Sequence, residues 1–154
     1  MLTEEDLAAV LERHFPAPPA TLEEVARFES RWGVRLDPDL TAFYGACNGA
    51  RLFKPTDSPY RFLSLDEIMR GRVAIFGEDE DALGPRSILA VCYVEDGNYV
   101  GIDISTRRAG FFPVLDLFHE TFPKEAEPVA DSFGAFLHEA LRQEGRHYWL
   151  VKGK

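Results

Sequence analysis

The sequence predicts an α+β fold, and three observations carry that expectation. Helix signatures with polar caps fill the first third of the chain, an apolar run and an alternating partner form a β-meander between residues 88 and 115, and a helical stripe returns at 133–141. Helices, then a meander, then a helix is the order of an α+β domain. At 154 residues and 45% hydrophobic content the chain closes one core and is too short for two independent ones.

Thr3 is placed to cap a first helix, with Leu7, Val10 and Leu11 on one face before Pro16, Pro18 and Pro19 stop it. The proline run reads as a linker or arm. Thr21 and Glu24 make a capping box for the next helix, Leu22, Val25, Phe28 and Trp32 supply its apolar side, and Gly33 suits a left-handed end. After Val34-Arg35-Leu36 in extended form, Asp37 caps and Pro38 starts a third helix, with Leu40, Phe43, Tyr44 and Cys47 at i, i+3, i+4 and i+7. Asn48-Gly49 ends it.

Tyr60 to Leu63 reads as a brief strand, and a second capping box, Ser64 with Glu67, opens a short helix through Ile68 and Met69 that Gly71 closes. Ile88 to Val94 is an uninterrupted apolar run, Asp96-Gly97 supplies a tight turn, and Tyr99 to Ile104 alternates, so the three make a hairpin. Val100, Ile102 and Ile104 share one face of its second strand, which puts Tyr99, Gly101 and Asp103 on the other, expected to be accessible. Following a turn at Ser105 to Gly110, Phe111 to Leu115 adds a third strand, with Pro113 favouring an edge position. Asp131 or Ser132 starts a final helix with Phe133, Phe136, Leu137, Ala140 and Leu141 as its stripe, and Tyr148-Trp149-Leu150-Val151 is expected to dock back as a strand. Trp32, Phe43, Val91, Ile102 and Phe136 are then expected to meet in one interior.

Charge narrows the partners. The formal net charge is −9 and no Lys/Arg cluster forms a phosphate-tracking stripe, so direct nucleic-acid binding is disfavoured. An acidic surface instead favours encounter with a basic partner, although solubility alone accounts for such a balance. No apolar run is long enough for a bilayer crossing, and Glu4, Glu5 and Asp6 stand where an export leader would be basic. Cys47 and Cys92 each sit in an apolar stretch without close spacing, which suggests neither a disulfide framework nor a zinc knuckle and fits a reducing cytoplasm.

Catalytic signatures are sparse. His14, His119, His138 and His147 form no HExxH pair and stand beside no cysteine at metal-ligand spacing, so structural or surface roles are expected and no metal or cofactor is assigned. There is no GxSxG elbow, no GxGxxG and no GxxxxGK[ST], which gives no support to an enzyme. Glu78, Asp79, Glu80 and Asp81 lack the alternating carboxylates and glycine of an EF-hand, and read as a solvated loop or as acids that meet a basic partner surface. Asp103, with Tyr99 on the same strand face, either stands poised as a recognition platform or begins the turn at Ser105.

Gly33-Val34-Arg35-Leu36-Asp37-Pro38-Asp39-Leu40, followed by Phe43-Tyr44 and Asn48-Gly49, resembles the signature region of the SUKH superfamily, which includes a fungal cell-wall-assembly regulator. The resemblance runs on through Leu65 to Met69, Ile88 to Val94, Tyr99 to Ile104 and Ser132-Phe133-Gly134-Ala135-Phe136-Leu137, and so covers Thr21 to Leu141. Two positions depart from the family pattern: the family commonly has Leu-Pro where this chain has Leu36-Asp37, and often a second glycine where Ala50 follows Asn48-Gly49. Asp37 still serves the helix start.

The resemblance implies one antiparallel or mixed sheet with helices packed against it, in a single domain over 1–154 whose family-like core is 21–141 and whose first 20 residues are an N-terminal helix and proline-rich arm. It also implies a non-catalytic protein-binding module, an immunity protein neutralising a bacterial toxin such as a nuclease. Glu78, Asp79, Glu80, Asp81, Tyr99 and Asp103 are the candidate partner-binding residues. A regulatory scaffold of the same fold is the alternative, and an unrecognised hydrolase the third reading.

Overall fold

The polar caps fix where the helices start. A computed structural model describes residues 1–150, and in it Thr3 caps α1 (Glu4–Arg13), Thr21 caps α2 (Leu22–Trp32), Asp37 caps α3 (Pro38–Ala46) and Ser132 caps α5 (Phe133–Arg142). Each cap side chain accepts a hydrogen bond from a backbone N–H in the first turn, which would otherwise lack a partner. The Thr21–Glu24 box closes in both directions, and Gly33 ends α2 with φ 65°.

Among the described residues eight strands form one antiparallel sheet: β1 (Phe15–Pro16), β2 (Ala50–Leu52), β3 (Tyr60–Phe62), β4 (Met69–Arg70), β5 (Ile88–Tyr93), β6 (Tyr99–Asp103), β7 (Val114–Leu117) and β8 (Pro128–Ala130). The order is β1-β2-β3-β5-β6-β7-β8, and β4 shares with β3 one edge of β5. The expected hairpin is β5–β6, and β7 continues the meander.

One face of the sheet carries the main core. Leu52, Tyr60, Phe62, Val91, Val100 and Ile102 pack there with Phe43 of α3 and Phe133 and Phe136 of α5, and Trp32 lies partly buried against them. The five residues expected to meet do meet. Phe43, Phe62 and Phe133 form a triangle with ring centroids 4.9–5.5 Å apart. Each such buried ring contributes about 1.5–3 kcal/mol by leaving water. Val10 of α1 is fully buried in the same core, so the N-terminal helix belongs to it. The proline segment is likewise more than an arm: Phe15 and Pro16 pair with Arg51 and Ala50.

Four expectations change. Only half of the Ser64–Glu67 box forms: Glu67 Oε1 accepts from the Ser64 N–H at 3.0 Å, the Glu67 N–H goes to the Ser64 carbonyl, and the segment closes only a turn. Met69 and Arg70 pair with Ala90 and Leu89 on the open edge of β5, and Gly71 begins a helix instead of closing one: α4, Gly71–Phe76. Pro113 does not place its strand at an edge, since β7 begins one residue later and β8 covers its outer side. The tail winds into a 3-10 turn, Tyr148–Leu150, because Tyr148 and Trp149 reach Phe136 while Trp149 also packs on Tyr60. Val151 lies outside the described residues.

The fourth change concerns the second face of β6, which is covered. Ile88, Ala90, Leu115, Leu117 and Phe122 form a smaller core there, joined by Ala74 and Ile75 of α4. Gly101 is needed for that closeness: a Cβ at this position would lie 2.6 Å from the Leu89 carbonyl oxygen and 2.8 Å from Leu117 Cδ1. A period-2 pattern shows which residues share a face but not whether a later segment covers it.

Candidate partner-binding surface

α4 ends at Gly77, whose φ of 78° turns the chain into Glu78-Asp79-Glu80 and a 3-10 turn, Asp81–Leu83. All four acids are exposed, yet two are fastened from below. Arg72 of α4 has only 3% of its side chain exposed, and its Nε donates to Asp79 Oδ1 at 2.7 Å while Nη1 donates to Asp81 Oδ1 at 2.7 Å and to the Gly84 carbonyl at 3.1 Å. Arg70 reaches Asp79 at 2.6 Å, and Arg86 meets Asp81 through both Nε and Nη2.

A guanidinium presents its donors in a planar fork that matches carboxylates, so one buried arginine can order the whole turn. Hydrogen bonds from Arg86 and then Arg72 hold the Asp81 carboxyl down to about 2, and that from Arg72 lowers Asp79. Both acids therefore carry charge at neutral pH, but it is balanced locally by three arginines. Glu78 and Glu80 make no ion pair among the described residues and present their charge outward. The run is an ordered acidic turn.

Tyr99 and Asp103 do not stand together as a compact platform. They stand at opposite ends of β6, about 13 Å apart along the strand. Tyr99 is half-buried against Tyr93, ring centroids 5.2 Å apart, and burial raises its phenol pKa. Asp103 Oδ1 accepts from the Ser105 N–H at 2.9 Å and from Ser105 Oγ at 2.6 Å, so its carboxylate begins the turn.

The histidines take part in local contacts. His14 Nδ1 accepts from the Phe53 N–H, His119 lies against Asn98, His138 against Asp6, and His147 against the Pro59 carbonyl. Among the described residues no group of His, Cys, Asp or Glu is arranged to hold a metal ion. Burial pushes the Cys47 thiol up to about 12 and raises that of Cys92, which makes both poor nucleophiles at neutral pH.

Sequence reasoning missed the arginines. Arg70, Arg72 and Arg86 bracket the four acids, and that alternation of sign is visible in the chain. Arg72 also lies one helical turn before Ile75 and Phe76, in a stretch to which the sequence pattern assigns no element, so its burial carries no periodic signal.

Residues 19–139 match the SMI1 / KNR4 family (SUKH-1). The immunity protein YokJ of Bacillus subtilis (strain 168) is 31% identical over 121 residues, which span 75% of this chain and 71% of that protein. No helix among the described residues is long and apolar enough to cross a membrane. The matched span holds the capped helices α2 and α3, the meander and most of α5, and on this ground the chain belongs to the SMI1 / KNR4 family (SUKH-1).

Proposed function

We propose that this protein is a cytoplasmic immunity protein that binds and occludes a bacterial protein toxin, such as a nuclease, and performs no covalent chemistry itself. The observation that carries the reading is the ordered acidic turn, with Arg72 buried beneath it and Glu78 and Glu80 left pointing outward. A preordered charged turn loses little conformational entropy on binding and steers a basic surface toward it. The likeness to an immunity protein supports the same reading at the level of the family. A nuclease is a suitable target because the surface that grips phosphates is basic.

The test is co-expression with the proteins encoded beside it. One neighbour should arrest growth alone, be tolerated when this chain is present, and co-purify with it. A chain that rescues no neighbour and retains none through gel filtration overturns the proposal. Within the complex, Glu78→Gln with Glu80→Gln should slow association roughly two- to tenfold at low salt and flatten its salt dependence. An unchanged rate assigns the contact elsewhere on the surface.

A further inference from the structure

Beside the acidic turn lies a cleft of about 300 Å³ whose character is opposite to that of the chain as a whole. Arg31 and Trp32 at the end of α2, Arg70 of β4, Arg86 and Ser87 before β5, and Ser105 after β6 line it. The guanidinium carbons of Arg31 and Arg70 stand 4.5 and 5.3 Å from the Trp32 ring centroid. Two donors here are buried without an acceptor: Trp32 Nε1 and Arg70 Nε. Buried donors are nearly always satisfied in native proteins, so two in one cleft call for an explanation. Arg31 makes no ion pair among the described residues, although a −9 chain offers many carboxylates.

We infer that this cleft receives a carboxylate side chain from an acidic segment of a protein partner. This rests on the reading of the chain as a protein binder, and it names the chemistry of one contact. A carboxylate offers acceptors alone and matches the guanidinium of Arg31, the unpartnered Arg70 Nε and Trp32 indole N–H, and the hydroxyl of Ser87, that of Ser105 being spent on Asp103. Carboxylates already sit on two of these arginines, since Asp79 engages Arg70 and Asp81 engages Arg86 at the rim. Arg86 spends one fork on Asp81, Arg70 spends Nη1 on Asp79, and Arg31 remains whole. The cleft, about 300 Å³, is of a size for one side chain and not for a nucleic-acid strand. Cation–π stacking on Trp32 fixes the direction of two guanidiniums, so they are preorganised for the incoming anion.

The assay is titration of the full ¹⁵N-labelled chain with a blocked hexaglutamate peptide, following the Trp32 indole N–H resonance, which a Trp32→Phe variant identifies. A saturable shift is expected, absent with hexaglutamine. Arg31→Gln should weaken it roughly tenfold, as expected for loss of a charge-assisted hydrogen bond. Arg108→Gln, an exposed arginine outside the cleft, should leave it unchanged. An unmoved Trp32 resonance overturns the inference, and so does equal weakening by Arg108→Gln, which would reduce the effect to net charge. Inorganic phosphate or oligouridylate shifting the resonance as strongly as hexaglutamate would also overturn it. Toxin neutralisation is scored separately. A chain that neutralises its toxin but ignores the peptide overturns the cleft and leaves the immunity reading standing; the reverse result overturns only the immunity reading.

Discussion

Leu117→Ala measures whether the back of the sheet is a core or a surface. Leu117 has no exposed area, and its Cδ1 lies 2.8 and 3.0 Å from the points where a Cβ on Gly101 or Gly71 would stand. Truncation removes three carbons, and at about 0.8 kcal/mol each the lost transfer energy alone is about 2.4 kcal/mol. Part of the space stays empty because Gly101 and Gly71 have no side chain to move into it, which brings the expected cost to about 3 kcal/mol. With a urea slope on the order of 2 kcal/mol/M, the unfolding midpoint should fall by about 1.5 M, with the slope unchanged. Equilibrium urea melts followed by far-UV circular dichroism provide the readout. An exposed leucine would cost less than about 0.5 kcal/mol, a midpoint shift of about 0.2 M. A shift that small would refute the two-sided sheet and, with it, the buried platform on which Arg72 holds the acidic turn.

Tyr44→Phe should cost about 1–3 kcal/mol in the same melts, because the buried Tyr44 hydroxyl donates to the Leu63 carbonyl at 2.7 Å and its loss leaves that oxygen dry. His14 has a folded pKa below its usual value, through burial first and Arg13 second, since a neutral ring must accept the Phe53 N–H. Its contribution is therefore complete above about pH 6.5 and declines as acid protonates the unfolded chain more readily than the folded one. Urea midpoints at pH 7.5 and 5.5 should differ more for the native chain than for His14→Gln. The folded pKa values of Asp79 and Asp81 also lie below their unfolded ones, so the arginine-braced turn is intact above about pH 4 and loosens as pH falls toward about 2. The protection factor of the Gly84 amide, whose carbonyl Arg72 holds, should fall across that range when exchange is referred to the intrinsic rate at each pH, and constant protection would contradict the bracing.

The helices were legible because their signals are local. Thr3, Thr21, Asp37 and Ser132 each cap within three residues, and a cap acts whatever the rest of the chain does. The hairpin was legible for the same reason, since Ile88–Tyr93 and Tyr99–Asp103 flank a turn that contains Asp96-Gly97. What escaped depends on distant segments. The path of Met69-Arg70 follows from an open edge on β5, about twenty residues away, and Phe122 reaches back to cover a face that the pattern of β6 left free. The acidic run was visible, whereas its neutralisation by Arg72 and Arg86 required the turn to be folded. Trp32 was read only as an apolar helix position, and its arginine neighbours come from three separate stretches of chain.

Both outermost strands of the sheet are brief and carry a proline: Phe15-Pro16 at one margin, Pro128-Val129-Ala130 at the other. A proline brings no N–H to a ladder, and two or three residues offer little length for a foreign strand to zip onto. Main-chain augmentation, by which many proteins capture extended peptides indiscriminately, is thereby blunted at each end. What a partner can grip is then the side chains displayed by turns and clefts, and not the main chain at the sheet's margins.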